Sequence, residues 1–135
     1  MGALLHLIED GFGLAEDYNC AERIVYGANR AYDLRLPEEA KHMMAGFGGG
    51  MGLGATCGTV SGAVAVISAH LVEDKAHATP GLKPATQSFL RAFEQKMGAL
   101  DCPHLRSRDR TKEQGCDAVV RAAAELLDEL VQELA

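Results

Sequence analysis

The sequence predicts an all-α fold, a compact single-domain bundle of five to six helices with a Gly-rich loop. Three observations predict it. Apolar residues recur at helical spacing in successive segments. Helix-starting residues stand ahead of several of these segments: Asn19 before Glu22, Pro37 before Glu38-Glu39, and Thr111 before Gln114. Eight of the chain's 15 glycines fall between Gly46 and Gly62, which breaks the pattern once, in the middle.

The first helix is expected over about Ala3 to Glu16, with Leu4, Leu5, Ile8, Phe12 and Ala15 on one face and Gly11 and Gly13 weakening its end. Asn19 and Glu22 then form a capping box for a helix carrying Ile24, Val25, Ala28 and Tyr32. Pro37 suits the first position of a third helix, running to about Met44, with two glutamates at its positive dipole end. The glycine stretch ends it. Thr56 reads as the cap of a fourth helix, Cys57 to about Glu73. Gly58, Thr59, Ser61, Gly62, Ala63, Ala65 and Ser68 keep this helix thin enough for close approach to a neighbour. Its Val60, Val64, Val66 and Ile67 make a strand the rival, which the segment's length disfavours. Asp74 to Pro84 is a loop, and a helix follows to Met97 with Phe89, Leu90, Phe93 and Met97 on one side and Gly98 at its end. After Cys102-Pro103-His104 and a charged loop, Arg106 to Arg110, the Thr111–Gln114 capping box opens the last helix. Cys116, Val119, Val120, Ala123, Leu126, Leu127, Leu130 and Leu134 form its apolar stripe.

At 135 residues the chain fits one domain, 1–135. With 5% aromatic residues and no Trp, the core must be filled by Ala, Leu, Val and Ile. A net charge of -6 with no basic stripe excludes a nucleic-acid reader and disfavours anionic membranes. Met1 to Ile8 lacks the basic lead of a signal peptide, and the longest apolar run, Val60 to Val72, is too short to span a bilayer. The expected setting is cytoplasmic, without nucleic-acid or membrane partners. There, four cysteines read as redox or metal chemistry before structural disulfides.

Cys20 and Cys57 fall in first helical turns, Cys116 one turn further in, and Cys102 before a proline that can start a helix. Helix N-termini offer free N–H groups and positive potential, which favour the thiolate, the form that attacks disulfides and binds metals. Each cysteine taken singly also reads as a small buried hydrophobe. No two of them stand within three residues of each other, so zinc-ribbon, ferredoxin, thioredoxin and Cys-x-x-Cys-His haem motifs are absent. Any site they share must be assembled by tertiary packing.

These residues resemble the C_GCAxxG_C_C family of redox-active proteins. Asn19-Cys20-Ala21-Glu22 is similar to its first cysteine, and Phe47-Gly48-Gly49-Gly50-Met51-Gly52 with Thr56-Cys57-Gly58 to its glycine-rich centre. Cys102 and Cys116-Asp117-Ala118-Val119-Val120 resemble its third and fourth cysteines. The central motif departs from the family pattern: Thr56 precedes the cysteine, Gly58 follows it, and a glycine stands at Gly62 rather than at position 61. The resemblance covers Tyr18 to the end and implies a redox or metal role. The family's similarity to part of a split-Soret-type cytochrome adds a non-covalent haem alternative.

The leading expectation is that Cys20, Cys57, Cys102 and Cys116 converge beside Gly48, Gly49, Gly50, Gly52 and Gly58. They would either cycle between dithiol and disulfide with a redox partner protein, or bind an iron–sulfur cluster or another thiophilic metal. Cys20 and Cys57 are the expected thiolates. The rival is a non-catalytic assembly module in which Gly58, Gly62 and Ala65 form a homodimer seam. A nucleotide role is disfavoured, because Gly50-x-Gly52-x-x-Ala55 has no preceding strand and no lysine follows. His104 is the best-placed histidine for a metal or a thiol, His42 complements its helix dipole, and Met43, Met44 and Met51 read as core.

Overall fold

The structure, a computed structural model, describes residues 2–103, 105 and 116–134. Among them are six α-helices: α1 (Ala3–Glu9), α2 (Cys20–Ala31), α3 (Glu38–His42), α4 (Gly58–Leu71), α5 (Leu82–Met97) and α6 (Asp117–Leu134). No β-strand occurs among the described residues. The one extended pairing is an isolated antiparallel bridge between Thr56 and Asp101. α4 is a helix despite its β-branched residues, and Val60, Gly62, Ala63, Val66 and Ile67 are all buried along it.

The main departures from the expected boundaries have local causes. The first helix stops at Glu9 because Gly11 and Gly13 take left-handed angles, φ 90° and 87°. Gly13 must be small, since a Cβ there would stand 2.8 Å from the Arg23 side chain. Thr56 does not cap α4. It is held in the bridge to Asp101, and Cys57 is the capping residue. Pro37 precedes α3 as its cap rather than opening it. α5 begins at Leu82, two residues before Pro84, which tolerates a first-turn position because its missing N–H is not needed there. The Thr111–Gln114 capping box, the charged loop and His104 lie outside the described residues.

α2 and α4 form the most extensive helix pair, and α6 packs on α1 and α5. Leu4, Ile8, Ile24, Val60, Ile67, Phe93, Val119 and Leu127 fill the centre, each essentially inaccessible. The aliphatic core expected from the composition is therefore present, with Phe89 and Phe93 stacked at one side. The ends are tied by polar contacts across the chain. The Asp128 carboxylate of α6 accepts from Leu4 N and Leu5 N at 3.0 and 2.9 Å, giving α1 the anionic cap that Gly2 cannot supply. It also accepts from the Tyr32 hydroxyl at 2.7 Å. At the other end, Arg23 of α2 and Asp117 of α6 form a buried ion pair at 2.9 Å. Asp117 also binds Arg121 at 2.8 Å, and Arg23 Nε donates to Phe12 O. Removing one member of such a pair leaves an uncompensated buried charge, at about 3–5 kcal/mol. No helix among the described residues is long and apolar enough to cross a membrane.

Candidate functional site

The site begins with the capping box. Glu22 N donates to Asn19 Oδ1 and Asn19 N donates to Glu22 Oε1, both at 2.9 Å, so α2 starts at Cys20 with its sulfur at the first turn. Asn19 has a second task. Its Nδ2 donates to Ala45 O at 3.0 Å, which draws the glycine stretch over the start of α2. A Cβ on Gly48 would come within 2.6 Å of that amide, so Gly48 leaves room for it.

The stretch then makes a left-handed turn. Gly49, Gly50, Met51 and Gly52 have φ of 64°, 63°, 59° and 70°, and Ala55 N closes the turn on Gly50 O at 3.0 Å. Only glycine adopts such angles without strain, so Met51 is the one strained member. Gly50 is doubly required, because a Cβ there would lie 2.6 Å from both Ala55 N and Ala55 O. The exit is pinned from the other side: Cys57 N donates to Leu100 O at 2.8 Å and Cys102 N to Ala55 O at 2.9 Å.

Cys57 caps α4, and the first turn of α4 faces Cys20. A Cβ on Gly58 would stand 2.8 Å from Cys20 Sγ and 2.6 Å from Phe47 O. One turn on, a Cβ on Gly62 would meet Ala21 O at 3.1 Å. The thin face of α4 is therefore turned onto α2 within this chain, and Gly58 and Gly62 are buried there. They do not form an exposed seam for a second copy.

This approach brings two thiols together. Cys20 is half-buried and Cys57 is buried. The Cys57 thiol hydrogen-bonds to Cys20, which is the chief reason the Cys20 pKa falls to about 6. Burial opposes the fall, and the Thr59 hydroxyl and the N–H groups of Gly49 and Ala21 reinforce it. The same contact with Cys20, followed by burial, pushes the Cys57 thiol upward, while Thr59 pulls the other way. The two thiols are therefore coupled, with Cys20 shifted toward the thiolate and Cys57 away from it. The asymmetry has a cause: Cys20 receives two backbone N–H groups from α2 and the glycine turn as well as the neighbouring thiol.

The other expected residues divide. Gly49 supplies an N–H to Cys20, whereas Gly52 faces open space. Cys102 is buried at 4% exposure, and its backbone pins the turn. Cys116 is half-buried just before α6, where its carbonyl accepts from Val119 N and Val120 N rather than lying a turn inside the helix. Among the described residues no three of His, Cys, Asp and Glu are grouped to hold a metal ion. Of the three methionines, only Met44 is core. Met43 and Met51 are exposed, with Leu53 at 90% exposure beside them in sequence. His42 ends α3, 3.8 Å from Glu38.

Two contributors carried little signal in the sequence. Thr59 reads there only as one more small residue of a thin helix, yet it acts on both sulfurs. The Arg23–Asp117 pair ties the start of α2, three residues past Cys20, to the start of α6, one residue past Cys116.

The sequence matches the family described as "Putative redox-active protein (C_GCAxxG_C_C)" over residues 18–130. The chain belongs to that family. No curated protein and no solved structure matches it.

Proposed function

We propose that this helical domain is a thiol–disulfide redox protein in which Cys20 is the attacking thiolate and Cys57 the resolving thiol. The observation that carries this reading is the meeting of the two thiols, set up by the close approach of the start of α4 to Cys20 at Gly58, with Cys20 the more acidic partner at a pKa of about 6. A thiol of that acidity is largely thiolate at neutral pH and is still nucleophilic.

The cycle balances with a disulfide as oxidant. Cys20 S⁻ attacks one sulfur of a substrate disulfide, forming a mixed disulfide and releasing the other sulfur as a thiolate. With Cys20 now uncharged, the main influence holding the proton on Cys57 is gone. Cys57 gives that proton to the departing thiolate and attacks the Cys20 sulfur. The second substrate thiolate leaves, and the Cys20–Cys57 disulfide remains. The substrate gains two electrons and the pair loses two. A redox partner protein bearing a dithiol returns the pair to the reduced state, in keeping with a cytoplasmic setting. The exposed Met43, Met51 and Leu53 give the glycine-loop region an apolar surface for another protein to approach.

The test is disulfide mapping after anaerobic treatment with one equivalent of a small disulfide. Peptide mass spectrometry is expected to find Cys20 joined to Cys57. Pairing of Cys20 with Cys102 or Cys116 instead, or a stoichiometric metal in the anaerobically purified protein, would replace this reading.

A further inference from the structure

Thr59 is fully buried, and its Oγ1 is one of two buried side-chain polar atoms among the described residues that make no hydrogen bond of full geometry, its contacts with Cys20 and Cys57 being looser ones. A buried hydroxyl left unpaired is unfavourable, so its surroundings have to account for it. Helical hydroxyls ordinarily return to a carbonyl one turn back, and Ser68 on the same helix does so, donating to Val64 O at 3.0 Å. The equivalent carbonyl for Thr59 is Ala55 O, which already accepts from Cys102 N. Thr59 follows Gly58, whose absent Cβ lets the start of α4 press against Cys20 Sγ, and it stands two residues past Cys57. The groups its hydroxyl acts on are the two sulfurs.

We propose that the Thr59 hydroxyl is a positioning group shared by the two thiols, donating to whichever sulfur carries the negative charge as exchange proceeds. This rests on the reading of Cys20 and Cys57 as attacking and resolving thiols. In the dithiol state the charge is on Cys20 and the hydroxyl supports it. Once Cys20 is tied up in a mixed disulfide, its sulfur is neutral, and the charge needed for the next step must form on Cys57. A hydroxyl rotates about its C–O bond, so the same group follows the charge from one sulfur to the other, which a fixed backbone N–H does not do. Thr59 transfers no proton in this scheme. It holds a hydrogen bond, and its influence lowers the pKa of both thiols. The other leading influences on Cys20 are the Cys57 thiol and the N–H groups of Gly49 and Ala21. Those on Cys57 are Cys20 and the Thr59 N–H.

The experiment compares wild type with Thr59→Val, which replaces the hydroxyl by a methyl, and Thr59→Ser, which keeps it. Thr59→Ala is the second hydroxyl-free variant if valine perturbs the fold, which circular dichroism checks. Two quantities are read: the pH midpoint of Cys20 alkylation, and the rate at which a preformed mixed disulfide between Cys20 and glutathione closes to the Cys20–Cys57 bond. Loss of the hydroxyl is expected to raise the midpoint by about half a unit and slow closure by about tenfold, with serine restoring both. An unchanged midpoint and closure rate without the hydroxyl overturns the assignment of Thr59, as does serine behaving like valine. Failure of the wild-type protein to close a Cys20–Cys57 bond overturns instead the reading on which it rests, and the Thr59 assignment with it.

Discussion

The first two cysteines, Cys20 and Cys57, and the last two, Cys102 and Cys116, start from the same local circumstance and have different described surroundings. All four cysteines stand at or beside a helix start. Cys20 meets a second thiol, a buried hydroxyl and two backbone N–H groups, and its pKa is lowered to about 6. Cys102 is more deeply buried than Cys20, and its N–H holds the glycine turn, while the Cys116 carbonyl serves the first turn of α6. The approach of Cys20 and Cys57 depends on glycine at two points where a Cβ would collide: Gly58 against Cys20 and Gly48 against Asn19.

The largest effect that would sharpen this contrast comes from Gly58→Ala. Within a helix, alanine ordinarily stabilises by up to about 1 kcal/mol over glycine. Here the added methyl meets a backbone oxygen at 2.6 Å and a sulfur at 2.8 Å, so the expected change is a loss of about 2 kcal/mol in denaturant unfolding. Gly46→Ala is the control. Nothing lies within 4 Å of its Cβ position, and the change is expected to stay within about 0.5 kcal/mol. A stabilising Gly58→Ala would mean that α2 and α4 do not approach as closely as described.

A smaller effect separates the pairs chemically. At about pH 6, Cys20 is expected to alkylate about tenfold faster than a thiol of ordinary acidity, its greater ionisation being partly offset by lower intrinsic nucleophilicity. Cys20→Ser should abolish this fast phase, whereas Cys102→Ser should leave it intact. Loss of the phase in both variants would erase the distinction between the pairs.

The smallest effect is on stability. Cys20 has a folded pKa of about 6 against an ordinary 9.0. A depressed acidic group contributes stability in full only above its unfolded pKa, and that contribution is lost as pH falls through the folded value. From about pH 6 to 7 the wild-type protein should gain about 1 kcal/mol relative to Cys20→Ser. Above the ordinary thiol value Cys57, whose pKa is raised, works in the opposite sense, so the comparison belongs below it. Parallel pH–stability curves for the two proteins would contradict a depressed Cys20.

Much of this molecule was legible in the sequence because the deciding interactions are local. The Asn19–Glu22 box, the apolar stripe of α6 and the small residues of α4 all rest on contacts within a few residues or on one helical period. These features determine an all-α bundle and place a thiol at the start of α2 and another at the start of α4. The sequence did not determine which thiols meet, because that depends on contacts between residues far apart in the chain. Asn19 binding Ala45, Leu100 binding Cys57, and the mutual fit of Gly58 and Cys20 are of this kind. Only the packing of α2 against α4 could decide that Cys20 meets Cys57, and that Thr59, an ordinary small residue by composition, is sealed in beside them. The physical reason is that a thiol's acidity is set by the donors and charges within a few ångströms of it, and those come from wherever the fold brings them.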